Sequence, residues 1–173
     1  MKCESCSVEY GKVEVIQKPE ICKSCNTELN LIEFWSNKEI IEDLDFACAQ
    51  KNPIILVAEN CDGIAGFTWG YDLPIEKFRF LTGKTNNANY MDEISVRGDK
   101  RIKGVGSILV KNYIKALVDK QKNELVLRTD KRNPASMALF KKLDLTPIID
   151  DKIIGNAVYD PNYPDRIYLK RKI

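Results

Sequence analysis

The run Arg101-Ile-Lys-Gly-Val-Gly106 constrains this chain more than any other stretch, because of what flanks it. Ahead of it, Tyr90–Val96 reads as a strand. Behind it, Gly104 to Gln121 sets Val105, Ile108, Leu109, Ala116 and Leu117 on one face at helical spacing. Glycines where a loop turns into a helix let backbone N–H groups converge on one point. The positive end of the helix dipole reinforces them, and the result is an anion site. A pyrophosphate is its natural guest. The plainer alternative is a glycine-containing turn ahead of a core helix.

The neighbouring segments extend the pattern. Pro53–Asn60 and Ile64–Tyr71 read as two strands joined by a turn at Asn60-Cys-Asp-Gly63, which makes a hairpin. Glu124–Thr129 reads as a strand, and Pro134–Leu143 as a helix with proline in its first turn. Leu145–Ile149 and Arg166–Arg171 are expected as closing strands. Asp160-Pro-Asn-Tyr-Pro-Asp165 between them is expected as an ordered but irregular loop. Glu76–Leu81 admits a helix, and Thr82–Asn89 reads as a polar loop. Upstream, Ser36 and Glu39 form a capping box for a helix carrying Ile40, Ile41, Leu44, Ala47 and Cys48 to about Lys51.

Two motifs in order, with a strand between them, resemble the GNAT acyl-CoA N-acetyltransferases over roughly residues 36 to 173. Arg101–Gly106 looks like that family's coenzyme A signature. Asn133 with Ala135 and Ala138 looks like its second motif, beside the cofactor arm; the alternative for Asn133 is a plain helix cap, and both roles could hold together. The resemblance implies an α/β (α+β) GNAT fold, a mixed central sheet with a splayed strand pair and flanking helices. It also implies acetyl-CoA as cosubstrate. The strand carrying Glu93–Val96 should part from Leu125–Thr129, so that Ile94, Ser95 and Val96 meet the pantetheine arm like an added strand. Arg101, Ile102, Lys103, Gly104, Val105, Gly106 and Ser107 would then hold the pyrophosphate, with Asn133 and Phe140 flanking the cofactor. A GNAT domain usually begins with a strand before its first helix, and here only Leu31–Trp35 is available. Either that piece serves, or the segment before it replaces that edge.

That segment is distinctive in itself. Four of the six cysteines stand as Cys3-x-x-Cys6 and Cys22-x-x-Cys25, with fifteen residues between the pairs. Two knuckles at this separation supply four thiolates to one tetrahedral ion, a specific signal for structural Zn²⁺; four unrelated thiols or a disulfide pair is the alternative. Four sulfurs leave no position open for water, so such a metal holds structure and performs no chemistry. Tyr10-Gly11-Lys12 is turn-like and Val13–Gln17 alternates enough for a short strand, a zinc-ribbon layout. About thirty residues cannot fold on their own core, so metal binding would supply the stability. The expected domains are a ribbon over 1–30 and a GNAT domain over 31–173. Cys48 and Cys61 lack this spacing and read as buried small hydrophobes.

Bulk composition sets limits. The chain's 173 residues, 44% hydrophobic and 30% charged, can bury a core in one ordinary domain with a small appendage. A net charge of +2 argues for neither nucleic acid nor a membrane surface. In residues 1–30 four lysines oppose five glutamates, and four thiolates around a divalent ion add negative charge. That is a poor match to a phosphate backbone. Lys111, Lys115, Lys120 and Lys122 read as a solvated face. No stretch approaches the roughly twenty apolar residues of a membrane span, and Met-Lys-Cys-Glu-Ser-Cys has no signal-peptide core. A cytoplasmic location with reduced thiols is the expectation. Nothing in the chain sets an oligomeric state.

Acetyl transfer to an amine requires a base or a water relay for the ammonium proton and a donor for the oxyanion, and the leaving thiolate benefits from an acid. The chain has no histidine. The carboxylates nearest the expected thioester are Asp92 and Glu93, and strand alternation turns them to opposite sides. Glu93 is the candidate base; a solvated or salt-bridged carboxylate is the alternative. A backbone N–H near Ile94 or Ser95 could meet the oxyanion. Many family members carry a tyrosine acid where this chain has Phe140, and Leu143-Asp-Leu145 stands where Leu-Gly-Phe is common. Tyr159, Tyr163 or Tyr168 could substitute, though each reads first as a packing residue. Trp69, Tyr71, Asp72 and the Tyr159–Arg166 loop are expected near the acceptor. The reading is an acetyl-CoA-dependent N-acetyltransferase acting on a primary amine of a small molecule or protein. The alternative is a non-catalytic acyl-CoA-binding or zinc-ribbon adaptor protein.

Overall fold

A computed structural model describes residues 1–6, 8, 10, 15–33, 35–61, 63–97, 103–149, 159–160 and 163–173. The chain divides into two compact units, Met1–Phe46 and Ala47–Ile173.

In the first unit, strands β1 (Lys2–Cys3) and β2 (Leu31–Ile32) pair antiparallel, with Lys2 opposite Ile32 and Cys3 opposite Leu31. Leu31 and Ile32 of the Leu31–Trp35 piece therefore pair in a separate two-stranded sheet rather than in the main one, and Phe34 lies outside the described residues. A bridge joins Ile21 to Glu28. Val15 and Ile16 are helical where a strand was expected; Val13 and Glu14 lie outside the described residues. Cys3, Tyr10 and Cys22 are the buried centre, with Val8, Val15, Leu29 and Leu31 packed around them. Helix α1 (Asn37–Ala49) opens on the expected capping box. The Ser36 N–H and hydroxyl donate to Glu39 Oε2 at 2.7 and 2.8 Å, and the Glu39 N–H donates back to Ser36 Oγ at 3.3 Å. Those bonds, then the Lys2 ammonium, hold the Glu39 carboxyl down at about 2.

In the second unit the main sheet contains β3 (Ile54–Asn60), β4 (Gly63–Asp72), β5 (Ala88–Val96), β6 (Glu124–Asp130), β7 (Thr146–Pro147), β8 (Tyr159–Asp160) and β9 (Tyr163–Lys172). Their order is β3-β4-β5-β6-β9-β7, with β8 also on β9. Among the described residues only β5 and β6 pair parallel; the other neighbours are antiparallel. This is the mixed α/β sheet that the sequence implies. Tyr90 and Met91 of β5, and Leu125, Val126 and Leu127 of β6, are all buried. Continuous apolar runs of this kind mark central strands covered on both faces.

Helix α2 (Val105–Asp119) covers one face, burying Val110, Tyr113 and Leu117 against Met91, Leu125, Leu127 and Leu169, and Leu109 with Val105 against Ala65. Each such leucine contributes about 2 kcal/mol on burial. Ile108, expected on that stripe, is exposed; Val110 and Tyr113 take the place. Helix α3 (Pro134–Lys142) adds Phe140 to the same core. The second face is aromatic. Phe78 packs on Tyr90 and Phe80 on Tyr168, each pair with ring centroids 5.0 Å apart. These two phenylalanines come from the β4–β5 connection, where a 3₁₀ turn at Arg79–Leu81 replaces the helix admitted over Glu76–Leu81.

Four other expectations change. The strand over Leu145–Ile149 shrinks to Thr146–Pro147, since proline has no N–H to continue a ladder. The Asp160–Asp165 loop is largely a hairpin: Asp160 pairs with Tyr163, and β9 starts there. Pro161 and Asn162 lie outside the described residues. Cys48, in α1, and Cys61, in the β3–β4 turn, are exposed. Lys122 lies beyond the end of α2. Its side chain is 8% exposed, and its ammonium contacts Asp72 at 2.6 Å.

Strand β4 lies tight against β5 at Gly70, where a Cβ would overlap the Tyr90 carbonyl oxygen, the Tyr113 hydroxyl and the Met91 Cα. Two of these are backbone atoms that cannot yield. Gly70→Ala is expected to cost about 3 kcal/mol or more in urea unfolding. A loss below about 1 kcal/mol would show that the two strands part easily.

Candidate functional site

Strands β5 and β6 run together only from Ala88 opposite Glu124 to Met91 opposite Leu127. Beyond that point Glu93–Val96 pair with β4 alone, so the edge of Ile94–Val96 toward β6 has no strand partner among the described residues. The parted strands enclose a cavity of about 190 Å³. Met91–Ile94 form one wall, Leu127–Thr129 the other, and Asn133, Ser136 and Phe140 close it from the α3 side. An extended ligand with amide groups can pair with that open edge.

A bulge sits at the point of divergence. Trp69 lies opposite Glu93 and Gly70 opposite Met91, which leaves Asp92 as an extra residue on β5. Met91 and Ile94 both pack on the α2 side, three residues apart, which regular alternation forbids. Asp92 and Glu93 between them therefore share the opposite face. The expectation that the two turn to opposite sides fails for this reason, because a bulge re-aims the side chains around it. Both residues line the cavity. Asp92 is held there: its Oδ2 accepts from the Tyr71 hydroxyl at 2.9 Å, and its Oδ1 lies 3.7 Å from the Arg128 guanidinium. Glu93 leaves its carbonyl oxygen to the Thr68 hydroxyl at 2.7 Å.

Sequence reasoning missed Arg128, which lines the cavity as a half-buried cation. Its signal was available: one charge inside the apolar run Glu124-Leu-Val-Leu-Arg-Thr129. Residues expected near an acceptor fare differently. Trp69 and Tyr71 are buried, Tyr71 serving Asp92. Asp72 is taken up by Lys122 and by the Asn52 amide, which donates to it at 2.7 Å. Tyr168 is buried in the aromatic layer, and Tyr159 and Tyr163 occupy β8 and β9.

The glycine run arrives at the same place. Arg101 and Ile102 lie outside the described residues. Lys103 is exposed. Gly104 has φ +98°, the left-handed region that favours glycine, and stands at the N-cap of α2 with no side chain to cap it. The N–H groups of Val105, Gly106 and Ser107 therefore begin a helix without intrahelical acceptors. A Cβ on Gly106 would lie 3.2 Å from Leu139 of α3 and 3.7 Å from Val96 of β5. The start of α2, the open edge of β5 and the body of α3 thus converge.

Helix α3 is placed by its own loop. Asp130 accepts from the Arg132 N–H at 2.7 Å, and the Arg132 guanidinium grips both its oxygens at 2.6 to 3.2 Å. The guanidinium's hydrogen bonds hold the Asp130 carboxyl below its ordinary value. Asn133 caps the helix, its Oδ1 accepting from the Ser136 N–H at 3.1 Å, while also lining the cavity. Phe140, 3% exposed, belongs to core and cavity alike.

The four paired cysteines form a second candidate centre, in the first unit. Their sulfurs all lie within 4.8 Å of one another, with Cys6–Cys22 at 3.6 Å and Cys3–Cys25 at 4.0 Å. Thiolates at about 2.3 Å from a tetrahedral zinc ion stand about 3.8 Å apart, so the set fits that ion. All four are free thiols rather than disulfides. Burial pushes the Cys22 thiol up, but the N–H of Cys25, the Tyr10 hydroxyl and the N–H of Ser24 outweigh it and bring the thiol to about 5. The Tyr10 hydroxyl in turn accepts from the Lys23 N–H at 2.8 Å. Outer hydrogen bonds of this kind orient ligands around a metal.

Comparison with known proteins bears on the second unit most. The profile of the Acetyltransferase (GNAT) family matches residues 20–145. No curated protein sequence matches the chain. Among solved structures, the ribosomal-protein-S18-alanine N-acetyltransferase of Escherichia coli superposes with a TM-score of 0.56 at 18% identity, over 80% of this chain and 77% of that one. PaiA N-acetyltransferase of Thermoplasma acidophilum, in complex with coenzyme A, gives 0.57 at 13%, over 80% and 72%. A GNAT acetyltransferase of Elizabethkingia anophelis with acetyl-CoA bound gives 0.55 at 16%, over 80% and 84%. At these identities the likeness is one of fold.

Proposed function

Because the chain belongs to the GNAT acetyltransferase family, we propose that it transfers an acetyl group from acetyl-CoA to a primary amine of a small molecule or a protein. The observation that carries this reading is the convergence of the open β5 edge with the uncapped start of α2. Residues 1–30 would form a structural zinc ribbon and 31–173 the acetyltransferase domain, in the cytoplasm. Among the described residues no helix is long and apolar enough to cross a membrane.

Bound acetyl-CoA would supply the activated thioester. Ile94, Ser95 and Val96 would pair with the amides of its arm, and a backbone N–H at Ile94 or Ser95 would face the acetyl oxygen. Lys103 with the N–H groups of Gly104, Val105, Gly106 and Ser107 would meet the pyrophosphate, joined by Arg101 and Ile102. Asn133 and Phe140 would flank the arm. Glu93, on the cavity wall, would take the proton of the acceptor ammonium, directly or through water. Phe140 has no proton to give, so the leaving thiolate would be protonated from solvent. A relative named for acting on ribosomal protein S18 makes a free protein N-terminus one acceptor to try beside small amines.

Glu93→Gln should lower kcat about 100-fold while leaving acetyl-CoA affinity unchanged. Equal turnover would remove Glu93 from the chemistry. Phe140 is the observation that favours the second reading, a protein that holds acyl-CoA without turnover or acts through its ribbon as an adaptor.

A further inference from the structure

Helix α1 is poorly supplied with support of its own. It has 13 residues, of which only Ala47 is buried. Isolated helices of about 12–15 residues are marginal in water, so its first turns depend on what is attached to them. Three contacts stand at those first turns among the described residues. The Ser36–Glu39 capping box closes the end, and the Trp35 indole N–H donates to Asp43 at 2.8 Å. The third comes from far away in sequence: the Lys2 ammonium donates to Glu39 Oε1 at 3.0 Å, with Lys2 only 18% exposed.

Lys2 is adjacent to Cys3, and the strand that positions both is two residues long. That strand is held by Cys3 N–H to Val8, Glu4 N–H to Asn30 and Tyr10 N–H to Met1, at 2.9 to 3.0 Å. The core beneath it consists of Cys3, Tyr10 and Cys22, two of them candidate ligands. So small a core cannot fix the strand unless the cysteines are bound to a common ion.

We propose that metal binding at Cys3, Cys6, Cys22 and Cys25 orders the first two turns of α1, with the Lys2–Glu39 ion pair as the connecting part. This rests on the zinc reading of the cysteine cluster. The coupling makes α1, the element that leads into the second unit, responsive to metal supply.

Hydrogen exchange on the full chain tests it, with metal content measured on the same samples. Three states are compared: zinc-loaded parent, parent after chelation with EDTA, and zinc-loaded Lys2→Met. Chelation should speed exchange of the Glu39–Asp43 amides about tenfold, while β5 and β6 amides keep their protection. Lys2→Met should retain its zinc yet exchange several-fold faster at the same amides. A parent that takes up no zinc overturns the zinc reading and this inference with it. Zinc uptake with α1 exchange unaltered by chelation or by Lys2→Met overturns the inference alone. So does loss of protection in β5 and β6 in step with α1.

Discussion

Gly106→Glu should abolish acetyl-CoA binding without unfolding the protein. A Cβ at this position points between Leu139 of α3 and Val96 of β5, at 3.2 and 3.7 Å, into the angle where the cofactor phosphates would meet the start of α2. The glutamate carboxylate would enter an anion site and repel the guest while occupying its space. The fold should tolerate the change: the nearest atom is the flexible end of Leu139, and a carboxylate in the first helical turn suits the helix dipole. Calorimetric titration should show affinity weakened at least about 100-fold, roughly 2.7 kcal/mol, with a thermal midpoint close to the parent's. Parent-like binding by the variant would move the anion site away from this helix.

The second large effect concerns the cysteines. Removing zinc, or replacing Cys22 by serine, should unfold residues 1–30 and leave the second unit folded. Structural zinc contributes on the order of 10 kcal/mol to small metal-dependent folds, far beyond what burial of Cys3, Tyr10 and Cys22 provides. The second unit has its own core around Met91, Leu125, Leu127 and Leu169. Cys22→Ser should lose bound metal and, in NMR spectra, lose dispersed signals from residues 1–30 only. Retained metal together with retained dispersion would show that Cys22 is not a ligand.

How far the sequence reveals this molecule depends on which interactions are local. The β3–β4 hairpin, β5, α2, β6 and α3 all lie within a few residues of where periodicity sets them, because each buries a face whose spacing is written in the chain. Ser36 and Glu39 are legible for the same reason, since a capping box is a four-residue device. The bulge at Asp92 is not, because it belongs to the pairing of β5 with β4 and leaves no mark in either strand alone. That one residue decides that Asp92 and Glu93 share a face. Phe78 and Phe80 sit in a segment without period, yet they cover Tyr90 and Tyr168. Lys122 looks like a surface lysine until Asp72, fifty residues earlier in the chain, comes beside it. The glycine run and the two cysteine pairs stand out because spacing alone carries their chemistry; Glu93, Asp92 and Arg128 acquire a setting only from the sheet.

The most direct test of the account is acetyl transfer itself. The zinc-loaded chain is incubated with acetyl-CoA and a panel of small primary amines and peptides with free N-termini, and thiol release and product mass are followed together. The account predicts at least one acetylated amine, formed with stoichiometric thiol release and reduced about 100-fold in Glu93→Gln. Binding of acetyl-CoA with no acetylated product from any amine would contradict it and leave a protein that holds the cofactor without using it.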